Sequence, residues 1–288
     1  MDFYKWYFIE EGRTPEGMFS WQHILSVTIV LGAFLFLAVM LGKKFKNNEK
    51  AQFITLLVSA IAIDLLFFFK IGFELVYEHA NTFERFWEIV IGNAPLYLCD
   101  MQLFILPLAA LTKGRFRNWC MDFVAIWGLL MGFLGTYFAG NIYPIRCVIG
   151  HSAFNSLFMH CIAAFAALFI FMCGLNKMEK RDIPFTVGML LVFMTTALIV
   201  DYVDNHNFMF FFDGNNTPFT LFQNLVHDNK IAYQIIIYIL QSGYMVGFYF
   251  AYYGIKKLIP IIKKKIELRK QKRKQKKQRK LAEASSED

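Results

Sequence analysis

Cys99 and His160 are the residues here whose types point most directly to covalent chemistry, and each stands inside a long apolar run. A cysteine attacks as its thiolate, and an imidazole beside it can take the proton while a third group holds the imidazole in place. With a fatty-acyl ester as substrate, such a pair would form an acyl-thioester and pass the acyl group to water or to a second acceptor. Asp100, Gln102 and Asn155 are polar enough, and close enough in sequence to one partner or the other, to orient the histidine or to stabilise an oxyanion. The segment Pro95-Leu96-Tyr97-Leu98-Cys99-Asp100-Met101-Gln102 carries three of these groups and ends at Pro107 after four more apolar residues. Each proline removes an amide donor and disturbs a helix around it. At membrane depth that is tolerated only where neighbours satisfy the freed carbonyls. The expectation is a short, interrupted helix facing the centre of a bundle.

The elements that must position these groups follow from composition. The chain has 288 residues, 57% of them hydrophobic, and its charges gather in short clusters between apolar runs. A bilayer core takes about 20 apolar residues per helix. Seven runs qualify: about 23–41, 53–76, 89–111, 119–139, 152–174, 183–203 and 231–255. The fold class expected is therefore all-α, a polytopic bundle of seven transmembrane helices. Residues 1–21 read as an extracytoplasmic lead-in, 22–255 as the membrane domain and 256–288 as a basic cytoplasmic tail. Cytoplasmic loops carry the excess of Lys and Arg. Lys43, Lys44, Lys46 and Lys50 follow the first run, Lys113, Arg115 and Arg117 the third, and Lys177, Lys180 and Arg181 the fifth. The intervening loops hold one basic residue apiece: Arg85, Arg146 and Lys230. This alternation places the N-terminus outside and the C-terminus inside, in a multi-pass protein of the cell membrane.

The net charge of +8 resides in the tail, where residues 256–288 carry fourteen Lys/Arg against four Asp/Glu. The other residues together are slightly acidic. Anionic headgroups are the partner expected there, and a nucleic-acid contact is the minority reading. Five cysteines show no paired spacing of disulfide or zinc type. The six histidines are scattered over separate segments and no glycine-rich nucleotide motif occurs, so no metal and no cofactor is expected.

Other polar groups cluster toward the outer half of the bundle. Asp64 lies near the middle of the second run, and Lys70 and Glu74 stand four apart, a spacing for an ion pair. His23 and Asn207 lie at outer helix ends. Gly128 and Gly132 make a small-xxx-small spacing that lets two helices approach closely. Three functions fit these residues. One is a Cys99/His160 enzyme. Another is a solute-binding or transport protein with Asp64, Lys70, Glu74, Cys99 and His160 lining a pocket. The third is a scaffold that docks through its tail.

The segment Pro95-Leu96-Tyr97-Leu98-Cys99-Asp100 resembles the third helix of YwaF-type bacterial integral membrane proteins and of the eukaryotic transmembrane protein 164 family, marked by a Leu-Pro-Leu-His-Leu-Cys-like motif. Trp21-Gln22-His23, His160 and Asn207-Phe208-Met209-Phe210 match further features of these families in order, over about residues 15–255. Ala94, Tyr97 and Phe208 depart from the usual Leu, His and Tyr. The resemblance implies an acyltransferase that moves a fatty-acyl chain between membrane lipids, donor and acceptor, with Cys99 as nucleophile and His160 as base.

Overall fold

The computed structural model describes residues 5–10, 12–77, 82–140, 142–214, 217–227 and 229–284. Every regular element among them is helical: α1 (Trp21–Phe45), α2 (Glu49–Tyr77), α3 (Phe83–Gly92), α4 (Gln102–Leu111), α5 (Gly114–Tyr137), α6 (His151–Cys173), α7 (Ile183–Asp204), α8 (Thr220–Leu225) and α9 (Lys230–Ala284). A π-turn (Lys5–Ile9) precedes α1, and short 3-10 turns (Lys180–Asp182, Phe208–Phe210) flank α7. The chain forms two units, Met1–Met245 and Val246–Asp288. The second is helical as far as Ala284 and interleaves lysines with exposed Leu258, Ile259, Ile262 and Ile266.

Six helical stretches among the described residues are long and apolar enough to cross a membrane: Trp21–Phe45, Glu49–Val76, Gly114–Tyr137, His151–Cys173, Lys180–Asp204 and Lys230–Arg269. The third expected span is different. Its helix stops at Gly92 and resumes at Gln102, leaving α3 and α4 with ten residues each. The cause is local. Pro95 has no amide to donate and disfavours helical geometry at Ala94. Asn93 closes α3, its backbone N–H donating to Ile89 and Ile91. Tight turns then carry the chain through Cys99, with Asp100 N–H donating to Tyr97 O at 3.0 Å and Leu103 N–H to Asp100 O at 2.9 Å. Cys99 thus sits on a turn between two half-length helices. A hydropathy window averages over such a break.

α5 and α6 form the closest helix pair, and small residues make it possible. A Cβ on Gly128 would lie 2.6 Å from the Ala163 carbonyl oxygen, and one on Gly132 would collide with Ala164 Cβ. The expected glycine spacing is therefore a helix contact. Packing of this kind, in place of a hydrophobic driving force, holds helices together in lipid. α4 is wedged between α2 and α5, with Leu103, Ile105, Leu106, Ala109 and Ala110 buried. At the basic end, Asp182 accepts a hydrogen bond from Trp119 Nε1 at 2.9 Å and pairs with Arg115 at 3.6 Å.

The lead-in is folded onto the turn between α5 and α6. Glu10 and Glu16 accept hydrogen bonds from the Cys147 and Val148 amides at 2.9 and 2.8 Å, and Arg13 donates to Ile149 O at 2.7 Å. These partners use backbone groups that no helix satisfies. The turn-like run Asp213-Gly214-Asn215-Asn216 lies partly outside the described residues, which exclude Asn215 and Asn216.

Candidate functional site

The break between α3 and α4, the glycine face of α5, the first half of α6 and the loop after α7 surround a cavity of about 590 Å³. Apolar side chains form much of its wall, among them Phe67, Leu98, Leu130, Met131, Leu134 and Phe138. Seven residues singled out from the sequence line it: Lys70, Glu74, Cys99, Asp100, Gln102, Asn155 and His160. Residues some sixty positions apart thus reach one chamber.

His160 is held firmly. Its Nδ1 lies 2.7 Å from the Ser156 carbonyl oxygen, one helical turn back. A carbonyl only accepts, so Nδ1 carries the proton and Nε2 is left as the basic nitrogen when the ring is neutral. The ring edge bearing Nε2 occupies the space that Gly135 leaves open, since a Cβ there would fall among the ring atoms. Cys99 Sγ donates to Asp100 Oδ1 at 3.6 Å. No hydrogen bond joins Cys99 to His160 among the described residues. They share a cavity, and in this conformation they have different partners.

Lys70 and Glu74 form the expected pair, 4.0 Å apart and about one third exposed. Glu74 also accepts from Asn93 Nδ2 at 2.5 Å, which ties α2 to the end of α3. Both line a second, more polar chamber of about 440 Å³ shared with Arg146 and Ser152, and with Glu10, His151 and His206 at its own wall. Asn155 donates from Nδ2 to Leu66 O at 2.8 Å, which leaves Oδ1 without a partner. Gln102 is 1% exposed and neither end of its amide is paired.

Three expected site residues are elsewhere. His23 is fully buried with both ring nitrogens engaged: Nδ1 accepts from the Phe19 amide at 3.0 Å and Nε2 donates to Thr136 O at 2.9 Å. It pins the lead-in to the end of α5. Asn207 accepts from the Phe212 and Asp213 amides at 2.8 and 3.2 Å and donates to Asp213 O at 2.7 Å. Its role is to clamp the loop that presents Met209 and Phe210 to the cavity. Both of these residues have positive φ, 52° and 62°, a strained conformation for side chains of this size. Asp64 is half-buried on α2 and does not line the chamber.

Trp127, Gln241 and Tyr244 line the cavity without having stood out in the sequence. Trp127 stands in an apolar stretch of α5, and Gln241 and Tyr244, three apart on α9, lie on one face of a helix whose other polar residues gave no reason to choose that face. Ser156 had a readable signal, because it precedes His160 by one helical turn.

Outside Cys99 the cysteines are packing groups. Cys147 is fully buried in the turn before α6, and burial together with Glu10 pushes its thiol up to about 11. All five are free.

No curated protein and no solved structure matches the chain. The TMEM164 family model matches residues 18–253, which include every residue lining the cavity. The chain is a multi-helix membrane protein that belongs to the TMEM164 family.

Proposed function

We propose that the protein transfers fatty-acyl groups from membrane lipid through Cys99, with His160 as general base. The observation that carries this reading is that both side chains open onto one largely apolar cavity, with His160 already fixed through Nδ1 to Ser156. The reaction begins when the Cys99 thiol turns from Asp100 toward Nε2 of His160. The thiol proton passes to Nε2 and sulfur attacks the ester carbonyl. The carbon–oxygen bond breaks, the lipid alcohol leaves with that proton, and a thioester remains on Cys99. A second lipid alcohol, or water, reverses the sequence and frees the thiol. The turn geometry at residues 93–101 supports this reading, because a thiol on a turn reorients more readily than one inside a helix.

The same reading places the protein in the cell membrane with α3 and α4 together making the third crossing. The alternation of basic loops supports that count, since an odd number of crossings before Lys113, Arg115 and Arg117 puts them on the side of Lys43 and Lys44. The cavity then opens in the outer half of the bundle.

The test is intact-protein mass spectrometry after incubation with phospholipid. Wild type should gain a hydroxylamine-labile acyl mass that maps to Cys99. Cys99→Ala should abolish it, and His160→Ala should slow its formation by about 10²-fold or more. An adduct formed equally fast without His160 would sink the pairing. A solute-binding reading draws on the polar second chamber around Lys70, Glu74 and Arg146. It predicts no adduct and saturable binding of a small zwitterion.

A further inference from the structure

Four helices contribute side chains with buried, unpartnered polar atoms to the lining of the same cavity. Gln102 on α4, Trp127 on α5, Asn155 on α6 and Gln241 on α9 are 1%, 1%, 2% and 4% exposed, and all four line it. Both ends of the Gln102 amide lack a partner, as do Trp127 Nε1, Asn155 Oδ1 and Gln241 Oε1. Polar groups this deep are normally paired, and an unpaired one is destabilising. Four such residues around one largely apolar chamber are more than packing requires.

Their chemistry narrows what they would meet. Trp127 Nε1–H only donates. Asn155 Oδ1 only accepts, because its amide orientation is fixed by the bond from Nδ2 to Leu66 O. The Gln102 amide has one role of each kind at its two ends, whichever way round it sits. None of the four side chains is charged. A plain ester offers acceptors alone and would leave Asn155 Oδ1 unpaired. A carboxylate likewise offers acceptors alone and would leave Asn155 Oδ1 unpaired.

We propose that Gln102, Trp127, Asn155 and Gln241 together form a subsite for the neutral, hydroxyl- or amide-bearing polar part of an amphiphile whose chain lies along the apolar part of the cavity. The inference rests on the lipid-binding reading of the cavity and assigns the class of lipid group recognised there. In the transfer reaction this group belongs to the acyl-accepting lipid alcohol. A site built to hydrogen-bond a hydroxyl discriminates strongly against an analogue without it, because its own polar groups are otherwise left unpaired.

The experiment compares retention of radiolabelled monooleoylglycerol and methyl oleate by the purified full-length protein in nanodiscs. The two share an acyl chain and an ester and differ in hydroxyl groups. Wild type should hold monooleoylglycerol at least about tenfold more tightly. Gln102→Met and Trp127→Phe should each reduce that ratio severalfold, and the pair together should bring it near one. Gln102→Met removes only atoms that have no partner in the protein and should melt at or above the wild-type temperature. Trp127→Phe also shortens a buried ring and should lose only the packing of the atoms removed. Equal retention of the two lipids by wild type, or retention of neither, overturns the subsite. So does a ratio unchanged in the double variant, or a marked loss of stability in both single variants, which would make these residues structural. The Cys99 adduct measured on the same preparation separates the two readings. An adduct without lipid discrimination removes the subsite alone, and discrimination without an adduct removes acyl transfer alone.

Discussion

The imidazole of His160 fills the notch that Gly135 leaves on α5, so that the position of one residue is set by the missing side chain of the other. Gly135→Ala should therefore act on His160 without touching it chemically. The new methyl would fall among the ring atoms, and the ring would have to leave its place beside Ser156. A displacement of about 1 Å at a reacting group can lower a rate about 10²-fold. We expect Cys99 acylation to fall by about that factor, while the helical signal in circular dichroism is kept. Near-normal acylation in Gly135→Ala would show that His160 works from another position.

Gly132 makes the same kind of contact for packing alone. Its added Cβ would strike Ala164 Cβ, so Gly132→Ala should destabilise the α5–α6 pair by about 1–3 kcal/mol, the range for an overpacked core. The reciprocal change, Ala164→Gly, should recover part of that loss in the double variant. Thermal unfolding of the four proteins in one detergent gives the coupling directly. Additive losses would mean that the two positions do not meet.

How much of this was legible in the sequence depends on whether a residue advertises itself by spacing. Lys70 and Glu74, and Gly128 and Gly132, stand one helical turn apart and interact as that spacing requires. Pro95 and Pro107 marked an interrupted helix, and the interruption is there at 93–101, although the run 89–111 reads as one span by hydropathy. Cys99 and His160, singled out by residue type alone, line one cavity. What spacing does not encode is direction. His23 and Asn207 are polar groups at helix ends, but they are used up by backbone amides and carbonyls of nearby loops. Trp127 and Gln241 also line the cavity, from helices whose pattern does not say which face is turned inward.

His23 should prove structural. His23→Ala leaves the Thr136 carbonyl without its partner in a buried place, at about 1–3 kcal/mol, and releases the part-buried Phe19 amide as well. We expect a clear drop in melting temperature and an unchanged rate of Cys99 acylation per folded molecule below that temperature. A variant as stable as wild type but inactive would return His23 to the chemistry.

Cys147 gives a pH-dependent prediction. Burial first, then the Glu10 carboxylate, raises its thiol from the ordinary 9.0 to about 11. A folded-state value above the unfolded one means the folded protein keeps this proton longer as pH rises. The associated stability is complete below pH 9 and is lost as pH climbs from 9 through 11. Cys147 should accordingly stay unlabelled by maleimide at pH 7.5, so that labelling of Cys99 can be read without interference. Glu10→Gln should bring the reactive range of Cys147 down toward 9. Rapid labelling of wild-type Cys147 at pH 7.5 would contradict the buried turn.

Asn207 acts on the cavity at one remove. Its side chain makes three hydrogen bonds across the loop that ends at Asp213, and that loop holds Met209 and Phe210 at positive φ against the chamber. Neither residue would keep such a backbone if the clamp were released, since non-glycine residues there are strained and relax when unsupported. Asn207→Ala should cost about 2 kcal/mol, as expected for a few net hydrogen bonds, and should let both side chains withdraw from the wall. Acylation of Cys99 should then fall about tenfold, with His160 still required. Asn207→Asp keeps the acceptor for the Phe212 and Asp213 amides and loses only the donor to Asp213 O, so it should sit between the two. Should Asn207→Ala and Asn207→Asp behave alike, the contact to the Asp213 carbonyl rather than those from the amides is what Asn207 contributes to holding the loop.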